Sequence, residues 1–107
     1  MTLRQEKVRE NIKNLAAQFL EKESNRTSLI TITDADVSKD LKQATIFITV
    51  LPTSNEQSAL DFVKRQRSDF RHFLQSKLKM KFTPFLDFAI DEGEKNRQRI
   101  DELSQDL

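Results

Sequence analysis

Apolar residues recur along this chain in two rhythms, and the switches between them divide it into elements. Over residues 3–22, Val8, Ile12, Leu15 and Phe19 repeat at steps of four, three and four, and Ala16 and Leu20 widen the stripe, so the spacing predicts a core-facing helix. Residues 24–28 (Ser-Asn-Arg-Thr-Ser) are polar and tend to bond their own backbone, which predicts a turn. Residues 29–34 are β-branched and alternate, Ile30 and Ile32 to one side and Thr31 and Thr33 to the other. Residues 36–41 link this first strand to a second over 43–51, where Ala44, Ile46, Ile48 and Val50 share one face and Thr45, Phe47 and Thr49 the other. So short a link predicts antiparallel pairing.

Pro52 cannot donate to a ladder, and Ser54 or Asn55 can cap a new helix, so residues 52–55 end the second strand. Residues 55–81 return to the helical period with Ala59, Val63, Phe70, Phe73, Leu74 and Leu78 on one side. Between Val63 and Phe70 the inward positions fall to Gln66 and Arg67, and a straight helix would push a guanidinium into the core at a cost of several kcal/mol unless it were paired. A bend removes the conflict. Ser68 and Asp69 are good N-cap residues, which predicts one helix ending near Arg67 and another starting at Asp69 or Phe70. Residues 82–90 alternate again, with Phe82, Pro84, Leu86, Phe88 and Ile90 in one register, and Pro84 requires an edge position or a strand that begins just after it. Gly93 is expected to end this third strand, and the thin stripe of Ile100, Leu103 and Leu107 predicts a short C-terminal helix.

A length of 107 residues fits one domain, 1–107, with its core over about 3–91 and a polar segment over 92–107. The core is lean. Apolar residues make up 36% and charged residues 33%, so the eight Phe, with no Trp or Tyr beside them, must supply much of the buried area. The absence of Cys excludes a disulfide framework and thiolate metal sites, and it fits a reducing cytosol. The first residues are charged and lack the apolar centre of a secretory signal, and no run approaches a membrane span. The expectation is a cytoplasmic protein.

Charge changes this picture more than composition does. Residues 64–81 hold seven cations (Lys64, Arg65, Arg67, Arg71, Lys77, Lys79 and Lys81) against Asp69 alone, a local excess of six positive charges; since the chain totals +1, the remainder carries −5. Charge runs on helices are commonly solvated faces, but a division this strong, placed at a bend, bears on partners rather than on fold. Such a ridge suits phosphate oxygens.

Catalytic constellations are missing. One glycine cannot build a phosphate-cradling loop, and His72, one turn before Ser76, has no Cys or second His with which to share a metal. Asp34-x-Asp36-x-Ser38 begins like a calcium loop, but Lys39 stands where a glycine must turn and Thr45 where a bidentate Glu must coordinate. Asp91, Glu92 and Glu94 cluster in a charged tail without a pocket for acid-base work. No enzyme activity, cofactor, metal or small-molecule substrate is expected.

The order helix, strand, strand, helix-bend-helix, strand is the layout of the type II KH module, an α+β RNA-binding fold whose three-stranded sheet is covered on one face by helices. Residues 31–51, opening with Thr31-Ile32-Thr33-Asp34 and running through Val37-Ser38-Lys39-Asp40-Leu41, resemble the strand hairpin of the ribosome-binding factor A family. Lys7-Val8-Arg9-Glu10-Asn11-Ile12 is similar to that family's opening helix, Pro84-Phe85-Leu86-Asp87-Phe88 to its third strand, and Asp91 with Arg99-Ile100 to its closing segment. The resemblance implies a non-catalytic assembly factor that binds the free small ribosomal subunit late in maturation and assists 5′-end processing of 16S rRNA. The family's Ala-x-Gly bend is Arg67-Ser68-Asp69 here, so a charge on Arg67 is expected to replace close backbone approach. Of the family's turn after the first helix only Arg26 is kept.

The expected RNA contacts are Lys64, Arg65, Arg67, Ser68, Arg71, Lys77, Lys79 and Lys81, made by a monomer that recognises shape and phosphate more than bases. The competing expectation is a protein-binding adaptor that docks a basic ribosomal protein through a sheet edge or through the acidic segment 87–106, which carries a net −4.

Overall fold

A computed structural model of the chain describes residues 2–23, 29–78, 83–94 and 96. The predicted turn at 24–28, Phe82 and most of the predicted C-terminal helix lie outside them. Helix α1 spans Leu3–Glu23 and opens with a reciprocal cap. The Gln5 amide donates to Thr2 Oγ1 at 3.1 Å, and the Thr2 amide donates to Gln5 Oε1 at 3.0 Å. Gln5 is buried, and its Nε2 also donates to the Val37 carbonyl at 3.1 Å, so one side chain both starts the helix and fastens it to the sheet.

Strand β1 runs Leu29–Val37 and β2 runs Gln43–Leu51, paired antiparallel as the short link requires. β1 is three residues longer than its alternation predicts, because the phase changes inside it. Ile30 faces Val50 and Ile32 faces Ile48, then the register shifts, and Ala35 and Val37 face Ile46 and Ala44. The bulge at Thr33 adds one residue, which moves the apolar positions from even to odd numbers while keeping them on one face of the sheet. Thr33 Oγ1 donates to Asp91 Oδ2 at 2.6 Å, and Arg9 of α1 donates to the Ala35 carbonyl at 2.8 Å and to the Asp34 carboxylate. Asp34 thus serves as an ion-pair partner inside a strand.

The link from β1 to β2 is tight. Leu41 N donates to Ser38 O at 2.9 Å, and Asp40 accepts from Ser38 Oγ at 2.6 Å and from the Lys42 amide at 3.0 Å. Leu41 holds φ at 61°, the left-handed region that a non-glycine residue enters at a cost, and its side chain packs on the core.

After a 3-10 turn at Thr53–Asn55 come helices α2, Glu56–Arg65, and α3, Arg67–Lys77, and then strand β3, Phe85–Ile90, parallel to β2. β3 begins just after Pro84 and ends at Ile90. Gly93 is therefore not its terminator; it lies in helical residues 92–94, where Asp91 Oδ1 accepts from the Glu94 amide at 3.0 Å. The strand order is β1-β2-β3, and the helices cover one face. Phe70 is fully buried, with ring centroids 5.2 Å from Phe19, 6.5 Å from Phe73 and 6.1 Å from Phe88, so one aromatic cluster joins α1, α3 and β3. No helix among the described residues is long and apolar enough to cross a membrane.

Candidate nucleic-acid interface

The helical run breaks at Gln66, two to three residues before the position its N-cap signals indicate. Gln66 has φ −88° and ψ 1°, and it makes no side-chain cap. Ser68 and Asp69 are not caps; they lie in the first turn of α3, where the Asp69 charge suits the positive end of the helix. No residue at the break has positive φ. The break is fixed by Arg67. Its Nε donates to the Lys64 carbonyl in the last turn of α2 at 3.0 Å, and its Nη1 lies 3.3 Å from Asp87 Oδ1 on β3. Arg67 does point toward the sheet, but its side chain stays 41% exposed beside Asp87, so the guanidinium is not carried into the core. The bend does not free Arg67 for a partner: it staples the hinge.

Lys64, Arg65, Arg67, Ser68 and Arg71 line one cleft of about 280 Å³, whose remaining walls are Phe85 and Leu86 at the start of β3. Five of the eight expected contacts are therefore brought together. Lys77 is elsewhere, at the far end of α3 with its ammonium 5.8 Å from the centre of the Phe73 ring, and Lys79 and Lys81 lie outside the described residues.

Asp87 is an acid set beside two of these cations. It accepts the Phe88 amide at 2.9 Å and stands 4.0 Å from Lys64 Nζ. Arg65 and Arg71 are exposed and have no ion-pair partner among the described residues. The cleft thus keeps a net positive charge, with two cations tethered and two open to solvent.

Phe85 is the residue that the alternation conceals. The buried register of 82–90 turns Pro84, Leu86 and Phe88 inward, as found, and leaves Phe85 as a neighbour on the other register. It is 61% exposed and forms part of the basic cleft. The signal for it is an aromatic residue at an outward strand position. Among the described residues, no group of three or more His, Cys, Asp or Glu could hold a metal ion.

Comparison with known proteins fits this architecture. The family model described as ribosome-binding factor A matches residues 4–104. A Coxiella burnetii protein named ribosome-binding factor A is 32% identical over 102 residues, covering 94% of this chain and 86% of that one. The solution structure of a Thermotoga maritima protein superposes with a TM-score of 0.74 at 22% identity, covering 85% of this chain and 90% of that one. A homology model of Thermus thermophilus ribosome-binding factor A, fitted into a cryo-EM map of a 30S complex, gives 0.67 at 20% identity over 76% of this chain and 88% of that one.

Proposed function

The chain belongs to the ribosome-binding factor A family, and from that premise we propose that it binds the free small ribosomal subunit through the cleft at the α2–α3 hinge. In this role it assists late maturation and 5′-end processing of 16S rRNA without catalysing a reaction. The whole chain works as one KH-like unit, as a monomer in the cytoplasm and with no small-molecule substrate. The observation that carries the reading is the convergence of Lys64, Arg65, Arg67 and Arg71 in one cleft. The 30S complex of the Thermus thermophilus protein, which shares this fold, supports the choice of partner.

The mechanism is electrostatic. The cations of the cleft displace counterions from the RNA phosphates, and Arg65 and Arg71 do so without first breaking an internal ion pair. Lys64 and Arg67 contribute as Asp87 releases them. Sedimentation of the purified protein with free small subunits, complete ribosomes and large subunits tests the reading: selective pelleting with the free small subunit is expected, and equal pelleting with all three contradicts it. If truncation after Glu92 abolished pelleting while no RNA crosslinked to α2 or α3, the adaptor function would replace it.

A further inference from the structure

The walls of the cleft differ in kind. α2 and α3 supply cations, whereas β3 supplies a bare aromatic ring. We propose that Phe85 is a stacking platform for one unpaired RNA base, whose flanking phosphates lie against Lys64, Arg65 and Arg71. The proposal rests on the reading of the cleft as an RNA site and adds to it a class of ligand: a single-stranded or bulged nucleotide instead of a paired helix.

Three observations carry it. Phe85 is 61% exposed although a buried Phe ring is among the larger apolar contributions to folding, so this ring contributes little to the core. Its backbone is fixed all the same. The Phe85 amide donates to the Lys42 carbonyl at 2.8 Å, Gln43 of β2 is its register partner, and buried Pro84 and Leu86 anchor it on both sides. No ring pairing occupies it among the described residues, where the aromatic contacts join Phe19, Phe70, Phe73 and Phe88.

A rigid, exposed ring beside open cations offers a nucleotide partners for both of its parts, the π-face and the phosphate. Bases inside a duplex have no free face, so the ring selects unpaired ones, and every base has such a face, so the selection is for strandedness more than sequence. Charge complementarity favours RNA over a basic ribosomal protein, which the same cations would repel.

The chain has no Trp and no Tyr, so Phe85→Trp places a sole indole reporter in the cleft. Its emission is measured against a short single-stranded RNA, an abasic oligonucleotide with the same backbone, and a blunt RNA duplex. Saturable quenching by the single strand alone is expected. Phe85→Leu should weaken single-strand binding about 5- to 100-fold, the effect of losing one base stack, with an unchanged salt slope. The proposal is overturned if a single strand that binds leaves the indole unquenched, or if Phe85→Leu binds it as tightly as the parent protein. In that case loss of binding in Lys64→Glu/Arg71→Glu would still uphold the RNA cleft. Failure of every RNA probe to bind would overturn both, and loss of small-subunit binding in Phe85→Leu with oligonucleotide binding intact would assign the ring to a protein partner.

Discussion

Arg67 and Asp87 lie 3.3 Å apart, guanidinium to carboxylate, and this contact ties the first residue of α3 to the middle of β3. The side chains are 41% and 45% exposed, so solvent screens the pair and its stabilisation is at most about 1 kcal/mol. Its larger consequence concerns partners, because Asp87 occupies the space between Arg67 and Lys64 that a phosphate would also seek.

Asp87→Asn removes that competing charge while keeping an oxygen for the Phe88 amide. Stability should change by less than about 1 kcal/mol, as expected for an exposed ion pair. RNA and small-subunit binding should tighten and become more sensitive to salt, as two cations become available to phosphates. Denaturant melts and salt-titrated binding check both parts. Weaker binding in the variant would mean that Asp87 positions the cations instead of competing for them.

Phe70 and Phe85 make opposite predictions for the same substitution. Phe70→Ala opens a cavity where the rings of Phe19, Phe73 and Phe88 meet and should cost about 3–5 kcal/mol. That is a large share of the roughly 5–15 kcal/mol that typically holds a domain together. Phe85→Ala, at an exposed site, should stay within about 0.5 kcal/mol. Urea unfolding distinguishes them, and similar losses for the two would contradict the division between core ring and surface ring.

Local sequence rules misplace two features for one cause. Capping propensity points to a helix break at Ser68 and Asp69, yet the break sits at Gln66, held by an Arg67 side chain reaching back to Lys64 and across to Asp87. That is a tertiary contact, and local propensity does not contain it. Alternation ends β1 at Asp34, but its failure there is a bulge, secured by Thr33 bonding to an acid 58 positions away. β2 and the buried faces of α1, α2 and α3 are legible because one uninterrupted period governs each. Phe85 escapes notice because periodicity finds the buried register, and the site uses the other one.

Acid should weaken the fold in a predictable direction. Burial pushes the Asp34 carboxyl up, but hydrogen bonds from the Ala35 amide and the Arg9 guanidinium outweigh it and leave the group below its ordinary value. Asp40 is lowered chiefly by the Ser38 hydroxyl and then by the Lys42 amide. Since both are depressed in the folded state, their contribution is fully present above the unfolded value near 3.8 and is lost as pH falls through the folded values. Asp34→Asn should therefore be less stable than the parent at neutral pH, with the difference shrinking as pH drops below that range. Denaturant midpoints across pH check this, and a constant difference would contradict it.

The most direct test of the cleft is charge reversal at its accessible rim. Lys64→Glu, Arg65→Glu and Arg71→Glu leave the Arg67 staple and the buried aromatic cluster intact, so circular dichroism should show an unchanged fold. Binding of the triple variant to free small subunits, measured from low to high salt, should be at least about tenfold weaker, with the log–log slope reduced by about 0.7–0.9 for each lost phosphate contact. A folded triple variant with the parent's affinity and salt slope would contradict the account.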